Sequence, residues 1–519
     1  MPVLAAALPI LLILVLMVGF RRSAALSALV GLAVAVLLAL TLFQPASPPP
    51  FLLTGVGAEA VFTAVTILWI IFPALCLHEL QTGTGAVGVL RDRLTGLSAE
   101  PRLMAILIAW FFALFIEGAA GFGTPAALAA PMLVAVGFPP LQAVVLALIG
   151  HSVGVSFGAV GTPVLPQLAV TDFTGVQLSA AVGVLHAALG GIVLAFLLYH
   201  AGNRAYGGPV PDRAALGRRG IAGWGALALV AMMLPYAVIA LTVGPELPTI
   251  GGALVGGVLF VLVLRRVAPT GQGGPAGRPA GAGGRGAPGR GLVWATLPYL
   301  VLVGLILLTR LVPGVKEVLR AVEIAWTLPG GFAGSVQPLY HPGTMLMAGV
   351  LIGGAMQGAG PGVLAAAAGR AARRLPMVAV ALVAMLALAR LMVHAGMIDA
   401  LAAGAAAGLG DAWPLLAPFV GILGAFVTGS ATASNILFSD FQMATAQALS
   451  LPTLPLLGAQ NFGAAVGNIV CPHNIIAACA VVGLAGREGD VLKRTALPAL
   501  AYGSAGGILT YGLVGWGGG

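Results

Sequence analysis

Few ionisable residues of this 519-residue chain lie inside its apolar runs, so the exceptions stand out as candidates for chemistry. Glu117 follows the apolar run Leu103–Ile116 and precedes Gly118-Ala-Ala-Gly-Phe-Gly123-Thr124-Pro125. At that depth desolvation disfavours a charged carboxylate, so Glu117 could take up and release a proton; capping nearby backbone N–H groups is the plainer alternative. His151, followed by Ser152 and Ser156, lies on a second long run, and His473-Asn474 closes a third. Histidine titrates near neutral pH and can shuttle a proton or donate to an anion; a structural hydrogen bond is the other reading. Glu117 and His151 are the proton-coupling candidates. Arg390, in Met385-Leu-Ala-Leu-Ala-Arg390-Leu-Met-Val-His394, is the oddest residue, because arginine at a helix centre costs about 2.5–3.5 kcal/mol on insertion scales. It is expected either to pair with Glu117, Asp399 or Asp440, or to grip a substrate carboxylate through its two-pronged guanidinium.

Neutral groups complete the set. Thr428-Gly-Ser430-Ala-Thr432-Ala-Ser434-Asn435 offers hydroxyls and an amide at a chain break, suited to a carboxylate and a neighbouring hydroxyl. Gln460, Asn461, Asn468, His473 and Asn474 surround a second break, and Ser156, Gly161 and Thr162 a third; Gly123 and Thr124 follow Glu117. With Arg390, these are the substrate-binding candidates. Sodium could also sit among such oxygens. Two motifs carry no chemistry. Gly154-Val-Ser156-Phe-Gly158 matches a nucleophile elbow but lies within an apolar run, where close helix packing accounts for its glycines. His78-Glu79 is followed by Thr82, so no H-E-x-x-H zinc site exists.

The elements that must position these groups are membrane helices. Hydrophobic residues make up 59% of the chain and charged ones 8%, against about 25% charged in a soluble chain. Apolar runs of spanning length, roughly 20 residues each, occur near 3–20, 24–43, 56–78, 140–168, 178–200, 220–243, 249–267, 291–312, 343–368, 375–395, 455–485 and 495–515. The net charge of +9 falls in short clusters between them, at Arg21/Arg22, Arg91/Arg93/Arg102, 204–219, 265–290, 370–374 and 487–494. This is orientation charge and not a nucleic-acid surface; the positive-inside rule puts every cluster in the cytoplasm. Residues 103–137 and 412–450 must then be re-entrant hairpins, with tips at Gly118–Pro125 and Thr428–Asn435. An all-α integral membrane protein follows, with twelve crossings, two hairpins and both termini outside. His78, His186, His200 and His341 are expected near membrane ends. Residues 268–290, rich in Gly, Pro and Arg, read as a cytoplasmic linker. Cys76, Cys471 and Cys479 sit in apolar stretches and form neither a disulfide framework nor a zinc site. The first run has no basic residues before it and a second apolar run directly after it, so it is expected to be retained as a helix.

At an offset of 306 residues, Gly118-Ala119…Gly123-Thr124…Ala127 falls on Gly424-Ala425…Gly429-Ser430…Ala433. At the same offset Ala159-Val-Gly161-x-x-Val164-x-Pro166 falls on Ala465-Val-Gly467-x-x-Val470-x-Pro472. The broken helices run in opposite directions in the topology above, so 103–200 and 412–486 are expected to be the cores of two inverted repeats within one transporter domain. Paired broken helices mark alternating-access carriers, since open backbone at membrane depth is tolerated where it lines a cavity, and helix N-termini there suit an anion. Packing kinks are the alternative.

Phe115-Ile-Glu117-Gly-Ala-Ala-Gly-Phe-Gly-Thr-Pro125, Phe157-Gly-Ala-Val-Gly161-Thr-Pro163, Gly244-Pro-Glu-Leu-Pro248, Thr428-Gly-Ser430-x-x-x-Ser434-Asn435 and Ala480-Val-Val-Gly-Leu-x-Gly486-x-Glu488 resemble, in order and across most of the chain, the bacterial lactate permease family. The resemblance implies a proton symporter for L-lactate, D-lactate or glycolate in the bacterial cytoplasmic membrane. It also implies the two inverted repeats with re-entrant hairpins of the ion transporter superfamily. Arg390 and His151 stand where some relatives carry neutral or apolar residues. The expected partners are a small organic anion, a proton or sodium, the lipid bilayer and a second copy in a homo-oligomer; no cofactor or metal is called for. The rivals are a sodium-coupled carrier or passive channel for another small organic anion, and an intramembrane enzyme built on Ser156 or a histidine, for which no complete catalytic set is present.

Overall fold

The computed structural model describes residues 2–20, 22–43, 45, 48–95, 97–98, 100–121, 123–202, 218–267 and 291–516. The expected linker at 268–290, Arg21, Phe122 and the basic cluster as far as residue 217 lie outside them.

A chain in lipid must satisfy its backbone internally, and almost every described segment is helical. In order these are α1 (Pro2–Leu14), α2 (Ala24–Leu38), α3 (Pro49–Gly83), α4 (Ala86–Thr95), α5 (Pro101–Ala119), α6 (Thr124–Ala135) and α7 (Pro140–Gly150). An irregular segment, Ser152–Ala169, then leads to α8 (Gly175–Gly202), α9 (Arg218–Thr242), α10 (Pro248–Val267), α11 (Leu292–Leu311) and α12 (Pro313–Arg320). After a β-hairpin, β1 (Ile324–Leu328) and β2 (Phe332–Val336), come α13 (Pro342–Met356), α14 (Pro361–Ala372), α15 (Leu375–His394), α16 (Met397–Leu409), α17 (Trp413–Thr428), α18 (Ala431–Ala448), α19 (Thr453–Gly467), α20 (Pro472–Ala480) and α21 (Glu488–Trp516). Many begin on proline, whose missing N–H costs nothing in a first turn. Among the described residues eleven helices are long and apolar enough to cross a membrane, or twelve if α7 and Ser152–Ala169, bent by 42°, form one span.

Three expectations change. The run 343–368 is two helices, because Gly358 (φ 77°) ends α13 and Pro361 starts α14. The first run is α-helical only to Leu14 and finishes in a π-turn over Val15–Gly19. The polar stretch Thr428–Asn435 is a turn at Gly429-Ser430 alone; Thr432, Ser434 and Asn435 already belong to α18, whose first turn the Ser430 hydroxyl caps by accepting from the Ala433 N–H at 3.3 Å.

Two groups of helices meet face to face. One gathers α13, α14 and α15 around the long α3, with α2 packed on α15 and α11 on α13. The other contains α5–α10 with α17–α21. Within it α17 and α19 are pressed together on glycines: a side chain at Gly463 would overlap the Pro418 carbonyl, and one at Gly467 would lie 2.6 Å from the Ile422 carbonyl. Such side-chain-free seams replace the hydrophobic drive that lipid cannot supply. The groups touch where α15 meets α18. The β-hairpin closes over the end of that face, with Phe332 (1% exposed) against Gly55 of α3 and 4.5 Å, centroid to centroid, from His394.

Candidate functional site

Four breaks in the helices converge. The first is the turn between α5 and α6, made by Gly121 (φ 56°) and Gly123 (φ 76°), with the Thr124 hydroxyl donating to the Gly121 carbonyl at 2.7 Å. The second lies at Ala159 (φ 42°), Val160 (φ 56°) and Gly161 (φ 81°), three successive left-handed residues. The two that are not glycine are strained by about 1–3 kcal/mol each, and such strain persists where the surroundings over-determine it. The surroundings are visible. Thr162 donates to the Ala159 carbonyl at 2.6 Å, and a side chain at Gly161 would lie 2.6 Å from the Pro245 carbonyl. Pro245 belongs to Gly244-Pro-Glu-Leu-Pro248, which is anchored by Glu246 accepting from Arg310 at 2.7 and 3.0 Å, while Arg310 also stacks over Tyr340 at 3.6 Å. Glu117 is wedged between these first two breaks. A side chain at Gly158 would overlap its Oε1, and one at Gly121 would sit 3.4 Å from it.

The third break is Gly429 (φ 76°) and Ser430, with Thr428 donating to the carbonyls of Gly424 (2.8 Å) and Ser430 (3.0 Å). The fourth is Asn468–Cys471, between α19 and α20. There Asn474 donates to Asn468 Oδ1 at 2.8 Å and Asn468 to the Ala464 carbonyl at 3.0 Å. Contacts join all four. A side chain at Gly123 would lie 3.1 Å from Asn474 Oδ1, and one at Gly429 would lie 3.1 Å from His473 Cβ. Asn435 Nδ2 donates to the Pro163 carbonyl at 2.8 Å. Gly123, Thr124, Thr428 and Ser430 are half-buried and His473 is exposed, so this meeting place is open on one side.

Other candidates lie away from it. Ser434, Gln460 and Gln442 form a buried chain behind the second turn: Gln460 Nε2 donates to Ser434 Oγ at 3.2 Å, Ser434 to the Gly421 carbonyl at 2.9 Å, and Gln442 to Gln460 Oε1 at 3.1 Å. Thr432 is buried in the first turn of α18. Asn461 donates weakly to Gln167 Oε1 at 3.4 Å. Ser156 is fully buried, 2.8 Å from His186 Nε2 and 3.2 Å from the Asn461 carbonyl. His186 was expected at a membrane end; it is instead fully buried within α8, with Nδ1 2.7 Å from the Tyr502 hydroxyl. Among the described residues the His151 ring bonds only its own helix, through Nδ1 and the Ala147 carbonyl at 2.7 Å.

Arg390 pairs with none of the three carboxylates named from sequence. Its Nε donates to Glu59 Oε2 at 2.8 Å, and His394 Nε2 lies 3.2 Å from the same oxygen. Glu59 is the residue that sequence reasoning passed over. It is a lone carboxylate in the apolar run 56–78, the same signal that singled out Arg390, and opposite charges buried in different spans are most cheaply buried together.

A sequence profile of the L-lactate permease family matches residues 2–514. The glycolate permease GlcA of Escherichia coli (strain K12) is 29% identical over 98% of this chain and 94% of its own length. The L-lactate permease of Streptococcus iniae is 29% identical over 86% of this chain and 91% of its own. The crystal structure of the Alcanivorax borkumensis YdaH transporter covers 96% of this chain and 99% of its own with a TM-score of 0.52 at 16% identity, a likeness of fold. With its many apolar helices and bacterial relatives, this is a multi-pass transporter of the bacterial cytoplasmic membrane. The match along nearly the whole chain assigns it: the protein belongs to the L-lactate permease family.

Proposed function

We propose that the protein imports lactate or a related 2-hydroxy monocarboxylate such as glycolate by proton symport, through alternating access around the four convergent breaks. The observation that carries this reading is the meeting of Gly123, Gly429, His473 and Asn474 at a half-exposed place beside Glu117. Open backbone and the N-terminal turns of α6, α18 and α20 give a carboxylate its donors. Thr124, Thr428 and Ser430 supply hydroxyls, and Asn474 and His473 supply side-chain donors, for the carboxylate and the 2-hydroxyl. Ser156, Thr162, Thr432, Ser434, Asn435, Gln460, Asn461 and Asn468 hold the breaks in shape around the substrate. Gly161 keeps the backbone accessible. Arg390, spoken for by Glu59, acts at the rim and not on the bound anion. The arms α5–α6 and α17–α18 are re-entrant hairpins of inverted repeats. Glu117, pressed on both the first turn and the first break, is placed so that its charge alters the site's shape, with His151 one helix end away.

Uptake of labelled lactate into proteoliposomes tests the reading. Accumulation should follow an inward proton gradient, whereas drive by sodium alone would overturn the symport assignment, and non-saturable flux would favour a channel. Glu117→Gln should abolish accumulation and keep part of the lactate exchange. Competition by lactate enantiomers, glycolate, pyruvate and dicarboxylates identifies the anion; selection for dicarboxylates would overturn the substrate assignment.

A further inference from the structure

Between α15 and α18, under β2, lies a cavity of about 50 Å³ walled by Glu59, Pro166, Arg390, Asn435, Ser439 and Asp440. That is room for a few water molecules, at roughly 10–15 Å³ of such open space each. Glu59 is fixed there by Arg390 and His394 and, at 3.4 Å, by the Ala333 N–H. Asp440 is not fixed. It is 8% exposed, makes no ion pair among the described residues, and faces the fields of Arg390, His394 and Glu59. The neighbouring Ser439 is 1% exposed, and its hydroxyl has no hydrogen-bond partner. A buried hydroxyl without a protein partner beside a small polar cavity is free to bond a water held there.

We propose that this cavity is a proton-loading site, in which Asp440 takes a proton from a hydronium ion held by Ser439 and so loses its attraction across the face to Arg390. The proton leaves the hydronium for a carboxylate oxygen of Asp440, water stays behind, and the same proton returns to water when the site next opens. Asp440 is the only ionisable residue in α18, the helix whose N-terminus forms the second turn of the substrate site. Arg390 stands on α15, in the other group of helices. A charged Asp440 is drawn to Arg390 across the face between the groups; a neutral one is not. Other charges facing α18 are accounted for. Glu59 comes from α3 and His394 from α15, α16 offers only the exposed Asp399, and neither α17, α19, β2 nor Pro166–Val170 carries a titratable side chain. Loading the proton therefore frees the hairpin that holds the anion, which links the two cargoes without contact between them.

This inference rests on the proton-symport reading, and the experiment separates the two. Full-length protein in lactate-loaded or empty vesicles is given an inward gradient of about one pH unit, which can hold about a tenfold gradient of a substrate coupled one to one. A trapped pH dye follows protons and label follows lactate. Wild type should accumulate lactate and acidify the lumen. Asp440→Asn should lose both signals while exchanging lactate at a reduced rate. Asp440→Glu should restore them with a displaced pH profile, which covers the case of an Asn variant that fails to fold. Proton-driven accumulation unchanged in Asp440→Asn overturns the Asp440 proposal alone, as does loss of coupling in Glu59→Gln with Asp440→Asn still coupled. A wild type that takes up lactate without protons overturns both.

Discussion

The Asn435 side-chain amide donates to the Pro163 carbonyl at 2.8 Å, joining the first turns of α18 to the residues just past the strained break at Ala159–Gly161. This bond ties together segments 272 residues apart in sequence, and both its atoms are buried. Replacing Asn435 by Ala removes the donor to the Pro163 carbonyl, which Pro166, three residues on, cannot replace for want of an N–H. A loss of about 1–3 kcal/mol is expected, read as an earlier thermal unfolding midpoint in detergent, and Asn435→Asp, which cannot donate when ionised, should not rescue it.

Arg390 and Glu59 should behave as one unit. Arg390→Ala leaves a buried carboxylate without its cation, a change that costs about 3–5 kcal/mol in comparable pairs. Glu59→Ala leaves the more accessible arginine, with 23% of its side chain exposed, and should cost less. The double substitution is expected to recover much of the loss. Folded yield and thermal midpoint of the four proteins give the coupling; strict additivity would mean that the pair contributes nothing.

Gly158→Ala tests how tightly Glu117 is held. The added methyl would overlap Glu117 Oε1, so the carboxylate has to turn away from the break. Proton-driven lactate accumulation should fall by about tenfold or more, in the range expected when a reacting group is displaced by an ångström or so, with the folded yield less affected. Unchanged accumulation in a folded variant would show that the position of Glu117 is unimportant.

His341 caps α13 by accepting from the Gly343 N–H at 3.3 Å, a role open only to the neutral ring. Burial, reinforced by Arg310, pushes its imidazole down to about 4 from 6.5. The folded protein therefore binds fewer protons there than the unfolded chain between those values. The contribution is complete above pH 6.5, falls as the pH is lowered toward 4 and levels off below it. His341→Asn keeps a capping oxygen without a titration, so the thermal midpoint of the variant should depend less on pH across that window.

Much of this was legible in the sequence because it follows from local cost. Runs of about twenty apolar residues favour spanning, breaks rich in Gly, Pro and hydroxyls stand out within them, and Gly358 with Pro361 would have divided the run 343–368 had they been weighed as a stop and a start. The turn at Gly429-Ser430 was also legible. What was not legible is that helix resumes immediately after it, since serine and asparagine fit a first turn as well as they fit a loop. Pairings between distant spans were hidden for another reason. Nothing local to Arg390 says that its carboxylate is Glu59, 331 residues earlier, or that Ser156 meets His186. Those contacts depend on which helices pack, and helices that are apolar all round give no facing stripe by which to choose.

The glycine seam between α17 and α19 has a consequence for how force travels through the molecule. Backbone lies on backbone there, with Gly421 against the Gln460 carbonyl and Gly463 against that of Pro418. No rotamers intervene to absorb a displacement, so a push on the turn at Gly429 is passed undamped to Asn468–Cys471. The two breaks are expected to move together, with the side-chain-filled face where α18 meets α15 as the place that yields.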